Sequence, residues 1–144
     1  MKTSINFKAA KSDSEIHNFR KKSFDYIRKD LTHKNEYWME QKIADRLLKI
    51  ETFCKEKSGR KLQKNAMPVR EAVVVIKENT TMQDLHNLSK RLEEELKIRV
   101  FQIAIHKDEG HYDKDTKEWK PNYHAHLVAD WQDLQTGKTL KHQS

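Results

Sequence analysis

The sequence predicts an α+β fold: a central, mostly antiparallel β-sheet flanked by helices. Three observations predict it. Three strand-like runs stand out, REAVVVIK (70–77), IRVFQIAIH (98–106) and NYHAHLVADW (122–131). Amphipathic segments with 3.6-residue spacing precede and separate them. Only a turn-rich insert divides the last two runs, which favours antiparallel pairing.

Each element has its own cause. Residues 3–8 (TSINFK) read as a short first strand. Ser12-Asp13-Ser14-Glu15 reads as a capping box with Ser12 as N-cap. Ile16, Phe19, Ser23 and Ile27 follow at helical spacing, so a helix is expected over about 13–29, broken by Leu31–Asn35. A second helix is expected from Glu36 to Lys57. Its stripe is Ile43, Leu47, Ile50 and Cys54, and Ser58-Gly59 ends it. Residues 55–64 hold five basic side chains and one acid and read as a basic loop. The β-branched run Arg70–Lys77 suits a strand buried on both faces. Thr81-x-x-Asp84 opens a third helix, continued by Leu85, Leu88, Leu92 and Leu96 to about Lys97. Residues 113–117 (DKDTK) and Thr136-Gly137-Lys138 read as turns.

Composition excludes several classes. With 144 residues there is room for one domain. The longest apolar run, Ala72–Ile76, is far short of the roughly 20 residues that cross a bilayer. The N-terminus lacks a signal-peptide shape. Cys54 is the only cysteine, so no internal disulfide and no multi-cysteine metal site can form. These features point to a soluble, cytoplasmic, single-domain protein. The net charge of +7 is uneven: residues 1–70 carry +9 and residues 71–144 carry −2. The basic half suggests a polyanionic partner.

The histidines carry the chemistry. His124 and His126 stand at i and i+2 on a strand, so both imidazoles leave one face, opposite the stripe Tyr123, Ala125, Leu127 and Ala129. His106 ends the preceding strand, with Asp108 and Glu109 after it. Antiparallel pairing lets His106, His124 and His126 converge on one metal ion with a carboxylate nearby. Imidazole suits Zn, Fe and Ni, whereas carboxylate suits Mn and Mg, so the donor set leaves the metal open. Such an ion could polarise a phosphoryl oxygen. His17 and Arg20, three apart, are expected on one helix face near a helix N-terminus, which favours anions. A neutral imidazole is a competent nucleophile near pH 7. Lys21, Arg28, Lys29, Arg60, Lys61 and Arg70 are candidate contacts to nucleic-acid phosphates.

These residues fall into two ordered motifs. His17-Asn18-x-Arg20, followed by Asp30-Leu31…Asn35-Glu36-Tyr37, resembles the N-terminal motif of the V-class plasmid mobilisation (Mob/Pre) relaxases of the HUH endonuclease superfamily. His106-x-Asp108-Glu109…Pro121…His124-x-His126 resembles that family's metal motif. The similarity runs from about residue 13 to 131. It implies a single relaxase domain over 1–144, complete or the N-terminal part of a longer protein. It also implies site- and strand-specific nicking and rejoining of origin-of-transfer DNA for conjugative mobilisation, through a covalent 5′-phosphate intermediate. The partners implied are single-stranded or hairpin origin DNA, with transfer machinery or accessory DNA-binding proteins. On that resemblance His17 is the nucleophile, Arg20 holds the scissile phosphate, and His106, His124 and His126 hold Mn²⁺ or Mg²⁺. Glu109 is then a fourth ligand or base.

Two features depart from the family pattern. The insert Gly110–Tyr123 is long, and Pro121 lies three residues before His124 rather than beside it. Tyr26 and Tyr37 remain alternative nucleophiles. A non-catalytic basic DNA-binding module keeps the charge without the metal. A replication initiator or transposase of the same superfamily would use a tyrosine, generally after the metal motif, and none follows Tyr123.

Overall fold

A computed structural model describes residues 5–10, 14–20 and 26–141. Ser12, Lys21 and His142 lie outside the described residues. The chain runs β1 (Phe7–Ala9), α1 (Ser14–Asn18), a 3₁₀ helix (Lys29–Lys34), β2 (Glu36–Met39), α2 (Ile43–Ser58), β3 (Val69–Val75), α3 (Met82–Leu96), β4 (Arg99–His106), β5 (Gly110–Tyr112), β6 (Trp119–Pro121) and β7 (His124–Asp130). Five strands form one sheet in the order β1-β3-β7-β4-β2, and every pair is antiparallel. The two-histidine strand is therefore central.

The two sheet faces differ. One face carries Ile103, Ile105, Ala125, Leu127 and Ala129 beneath Leu85 and Leu92 of α3, with Trp131 completing the core. The α3 helix docks there because its leucines form one stripe and its Thr81–Asp84 capping box satisfies both reciprocal bonds. The other face is covered at one end by α2, through Ile50 packed on Phe101 and Val128. At its other end lies the histidine cluster.

Three expectations are corrected. The helix expected over 13–29 is only Ser14–Asn18 within the described residues, and Arg20 adopts a left-handed φ of 55°. From that turn Arg20 bonds Asp108. The segment 36–39, expected to begin a helix, is the edge strand β2, paired with β4. Tyr37 and Trp38 are good strand formers, and the open edge of β4 offers them backbone partners. Finally, β3 is not buried on both faces: Val73 and Val75 are 57% and 84% exposed. They share the histidine face, where α2 no longer covers the sheet.

Candidate metal centre

Pairing of β4 with β7 sets His106 opposite His124 and Ala104 opposite His126. All three imidazoles leave the same face and are buried. Their ring centroids lie 4.7 to 5.1 Å apart.

Glu109 joins them despite the long insert. The insert folds into the β5–β6 hairpin, and the Asn122 amide donates to the Glu109 carbonyl (2.8 Å), so both ends of the excursion meet. Gly110 is needed where the hairpin closes, because a Cβ there would press on the Lys120 carbonyl and the Trp119 ring. Glu109 Oε2 then stands 3.0 Å from His106 Nδ1 and 3.3 Å from His124 Nε2.

The hydrogen bonds fix where the protons are. The Asn18 carbonyl lies 2.7 Å from His106 Nε2, and the Asn122 carbonyl 2.9 Å from His124 Nδ1. A carbonyl only accepts, so these nitrogens carry the protons. The lone pairs of His106 Nδ1 and His124 Nε2 are left facing each other at 3.2 Å, beside the Glu109 carboxylate. Glu109 has Arg20 as a donor, but the two facing imidazole nitrogens have none in these tautomers, an arrangement that calls for a cation or a proton between them. His126 is similar: its Nδ1 is 2.7 Å from Glu71 Oε1, and its buried Nε2 has no partner. Ligand atoms of His106, Glu109 and His124, and separately of His17, His106 and His126, lie within 4.8 Å of one another. The donor set thus fits a divalent metal.

Electrostatics follow the same logic. Burial alone would raise the Glu109 pKa, but His106 and His124, which donate to it once a proton is bound between them, and Arg20 hold the carboxyl well below the usual range. Burial opposes charging of His124, yet Glu109 overrides it and raises its pKa. Burial lowers the pKa of His126 despite Glu71. Glu71 is held down to about 2 against its own burial by His126 and Asn18.

His17 stands over the cluster, its ring 5.5 Å from that of His126 and 5.7 Å from that of His106. It lies in the last turn of α1, not near the N-terminus, so the helix dipole gives it no anion site. Burial lowers its pKa, opposed by Glu109 and aided by Arg20, which keeps the imidazole neutral near pH 7. Its Nδ1 is 3.2 Å from the Tyr26 hydroxyl, and its Nε2 is 3.8 Å from Glu109.

Arg20 does not sit as an open phosphate clamp. It grips Asp108 through Nε (3.2 Å) and Nη2 (2.8 Å), bonds Glu109, and donates to the His17 carbonyl (3.1 Å). Four of its five N–H groups are committed. It therefore holds Glu109 and the backbone at His17 in place. Asp108 is also bonded by Thr32 Oγ1 (2.8 Å). Tyr37 is further out, accepting from Asn35 (3.1 Å) and packing on Phe19.

The expected DNA contacts separate. Arg28 pairs with Asp30 and lies over Trp119 of the hairpin. Lys29 begins the 3₁₀ helix, and Arg60 and Lys61 are exposed in the loop after α2. Arg70 is no surface contact: it is 3% exposed, lies 4.3 Å over the Trp131 ring, and bonds the carbonyls of Met67 and Leu140. Sequence reasoning missed Glu71, which orients His126. An acid interrupting an apolar strand was its only signal.

No protein-family model and no curated protein matches the sequence. Among solved structures, the chain is similar to the MobM relaxase domain (MOBV; Mob_Pre), solved with manganese and bound to 22-nucleotide oriT DNA of plasmid pMV158. The TM-score is 0.64 at 15% identity, over 96% of this chain and 74% of that one. The fold is thus that of a relaxase domain, the fold that the motif resemblance implies. No helix among the described residues is long and apolar enough to cross a membrane.

Proposed function

We propose that this chain is a DNA relaxase that nicks one strand, holds the 5′ phosphate covalently on His17, and rejoins the strand. The observation that carries this is the His17 imidazole standing 5.5 to 5.7 Å over the rings of an acceptor-rich, metal-fitting cluster on a relaxase fold. His106, His124 and His126, with Glu109, would hold the metal, which supplies charge neutralisation at the phosphoryl oxygens. Donation of the His17 Nδ1 proton to the Tyr26 oxygen leaves the Nε2 lone pair facing the cluster. That lone pair attacks phosphorus, an N–P bond forms and the P–O3′ bond breaks; the leaving O3′ takes a proton from water, balanced by loss of the Nδ1 proton to water through the Tyr26 oxygen. The N–P bond stays activated, so a 3′-hydroxyl can reverse the step.

A second reading rests on the same contact. With His17 Nδ1 unprotonated, Tyr26 would be the nucleophile and His17 its base. One experiment tests both. The protein is incubated with a random-sequence single-stranded DNA library and Mn²⁺, and the adduct is located by mass spectrometry. An acid-labile adduct on His17 that survives Tyr26→Phe supports the histidine route; an adduct on Tyr26 replaces it with the tyrosine route. Absence of any chelator-sensitive adduct sinks the relaxase reading.

A further inference from the structure

We infer that the end of the sheet opposite the histidines carries a second DNA site, a pocket for a backbone phosphate outside the cleaved segment. This rests on the DNA reading above. A cavity of about 310 Å³ lies between the loop after α2 and the chain beyond β7. Its charged lining is Arg60, Lys61, Arg70, Lys138 and Lys141, with no acid. The larger neighbouring cleft, about 790 Å³, mixes Glu51 and Glu56 with Lys55, Lys61 and Lys64. Among the described residues, none of Arg60, Lys61, Lys138 or Lys141 has an acidic partner within 4.0 Å.

The convergence is built by the fold. The two basic segments are about 80 positions apart in the sequence. Gly137 (φ 78°) lets the turn after β7 dock on α2, because a Cβ there would meet Lys57 Cβ at 2.8 Å and Cys54 Cα at 3.1 Å. Buried Arg70 then ties both walls together, bonding Met67 O on one side (2.9 Å) and Leu140 O on the other (3.0 Å). Like charges held together unpaired raise the energy of the empty pocket and favour an anion. The lining also holds Thr139, whose buried hydroxyl has no partner. It is a donor left without an acceptor beside the pocket, within reach of a phosphate oxygen only if the wall shifts. Arg70 pairs with Ala129, three and five positions from His126 and His124 along β7, or about 10 and 17 Å. The pocket and the metal centre are therefore separate anchors on one molecule.

The test is fluorescence anisotropy against salt concentration, with a 30-nucleotide oligo-dT and a 30-base-pair duplex as probes. Lys138→Gln/Lys141→Gln is expected to reduce the slope of log affinity against log salt by about 0.7 on the single strand or about 0.9 on the duplex, as one phosphate contact is lost. The probe that shows the drop identifies the form of DNA held. Thr139→Val is expected to weaken binding about fivefold without changing the slope, since it removes a neutral donor. Lys90→Gln/Arg91→Gln on α3 removes the same charge elsewhere. Equal slope losses in the two charge variants, or unchanged binding in Thr139→Val, would overturn the pocket. So would an absence of DNA binding by the wild type. A wild type that forms no adduct while the slope difference persists would fail the relaxase reading and leave the pocket standing.

Discussion

Two buried polar clusters cap the two ends of the β4–β7 pair, and they are built on opposite principles. At one end Asp130 is gripped by Arg46 (2.9 Å) and Arg99 (3.0 Å) and accepts from the Gln132 amide (2.8 Å). Arg46 continues to Gln41 and lies over Phe101, while Gln132 bonds the carbonyls of Ile50 and Gly137. The Asp130 oxygens both have donors. At the other end His106 Nδ1, His124 Nε2 and Glu109 face one another as acceptors, and His126 Nε2 has no partner. A saturated cluster ties α2 and the end of the sheet together. A cluster with surplus acceptors is folded for something that arrives later. Equal burial thus conceals different purposes, and the count of donors against acceptors tells them apart.

The largest expected effect breaks the saturated end. Asp130→Ala leaves Arg46 buried without its carboxylate and is expected to cost about 3–5 kcal/mol in urea unfolding. A loss under about 1 kcal/mol would contradict a structural role. The same variant, where folded, is expected to bind Mn²⁺ as the wild type does. The acceptor-rich end behaves the other way. Adding Mn²⁺ to about 100 times its Kd is expected to stabilise the wild type by about 2.7 kcal/mol. Chelator reverses the gain and His126→Ala abolishes it; a thermal shift unmoved by Mn²⁺ would remove the metal from this account.

Smaller effects sharpen the contrast. Glu71→Gln weakens the orientation of His126 and is expected to lower Mn²⁺ affinity about 10- to 100-fold by titration calorimetry. Unchanged affinity would mean that Glu71 only fills space. Gly110→Ala crowds the hairpin closure and is expected to cost about 1–2 kcal/mol while moving Glu109. Its signature is a change in the Mn²⁺ electron paramagnetic resonance spectrum together with the lower stability, whereas Asp130→Ala changes stability alone.

Legibility in the sequence followed the range of the cause. The capping box at Thr81, the leucine stripe of α3, the β4 and β7 runs and the face shared by His124 and His126 all depend on neighbours a few positions away, and all were readable. Antiparallel pairing followed from the turn-rich insert, and with it the approach of His106. What failed was governed from afar. Segment 36–39 became a strand because β4 had an open edge. The helix at His17 stopped after Asn18, whose side chain reaches Glu71 (2.9 Å) and whose carbonyl holds His106. Arg70 looked like a surface cation and is instead the buried tie under Trp131.

By itself, then, the sequence determined the element types, the charge division and the imidazoles that can meet, because periodicity and side-chain chemistry are local. Only the tertiary structure decided that a 14-residue excursion returns Glu109 to the cluster, that Arg20 is bound to carboxylates, and that Glu71 orients His126. Those outcomes depend on which donor meets which acceptor across the sheet, and chain spacing does not encode that matching.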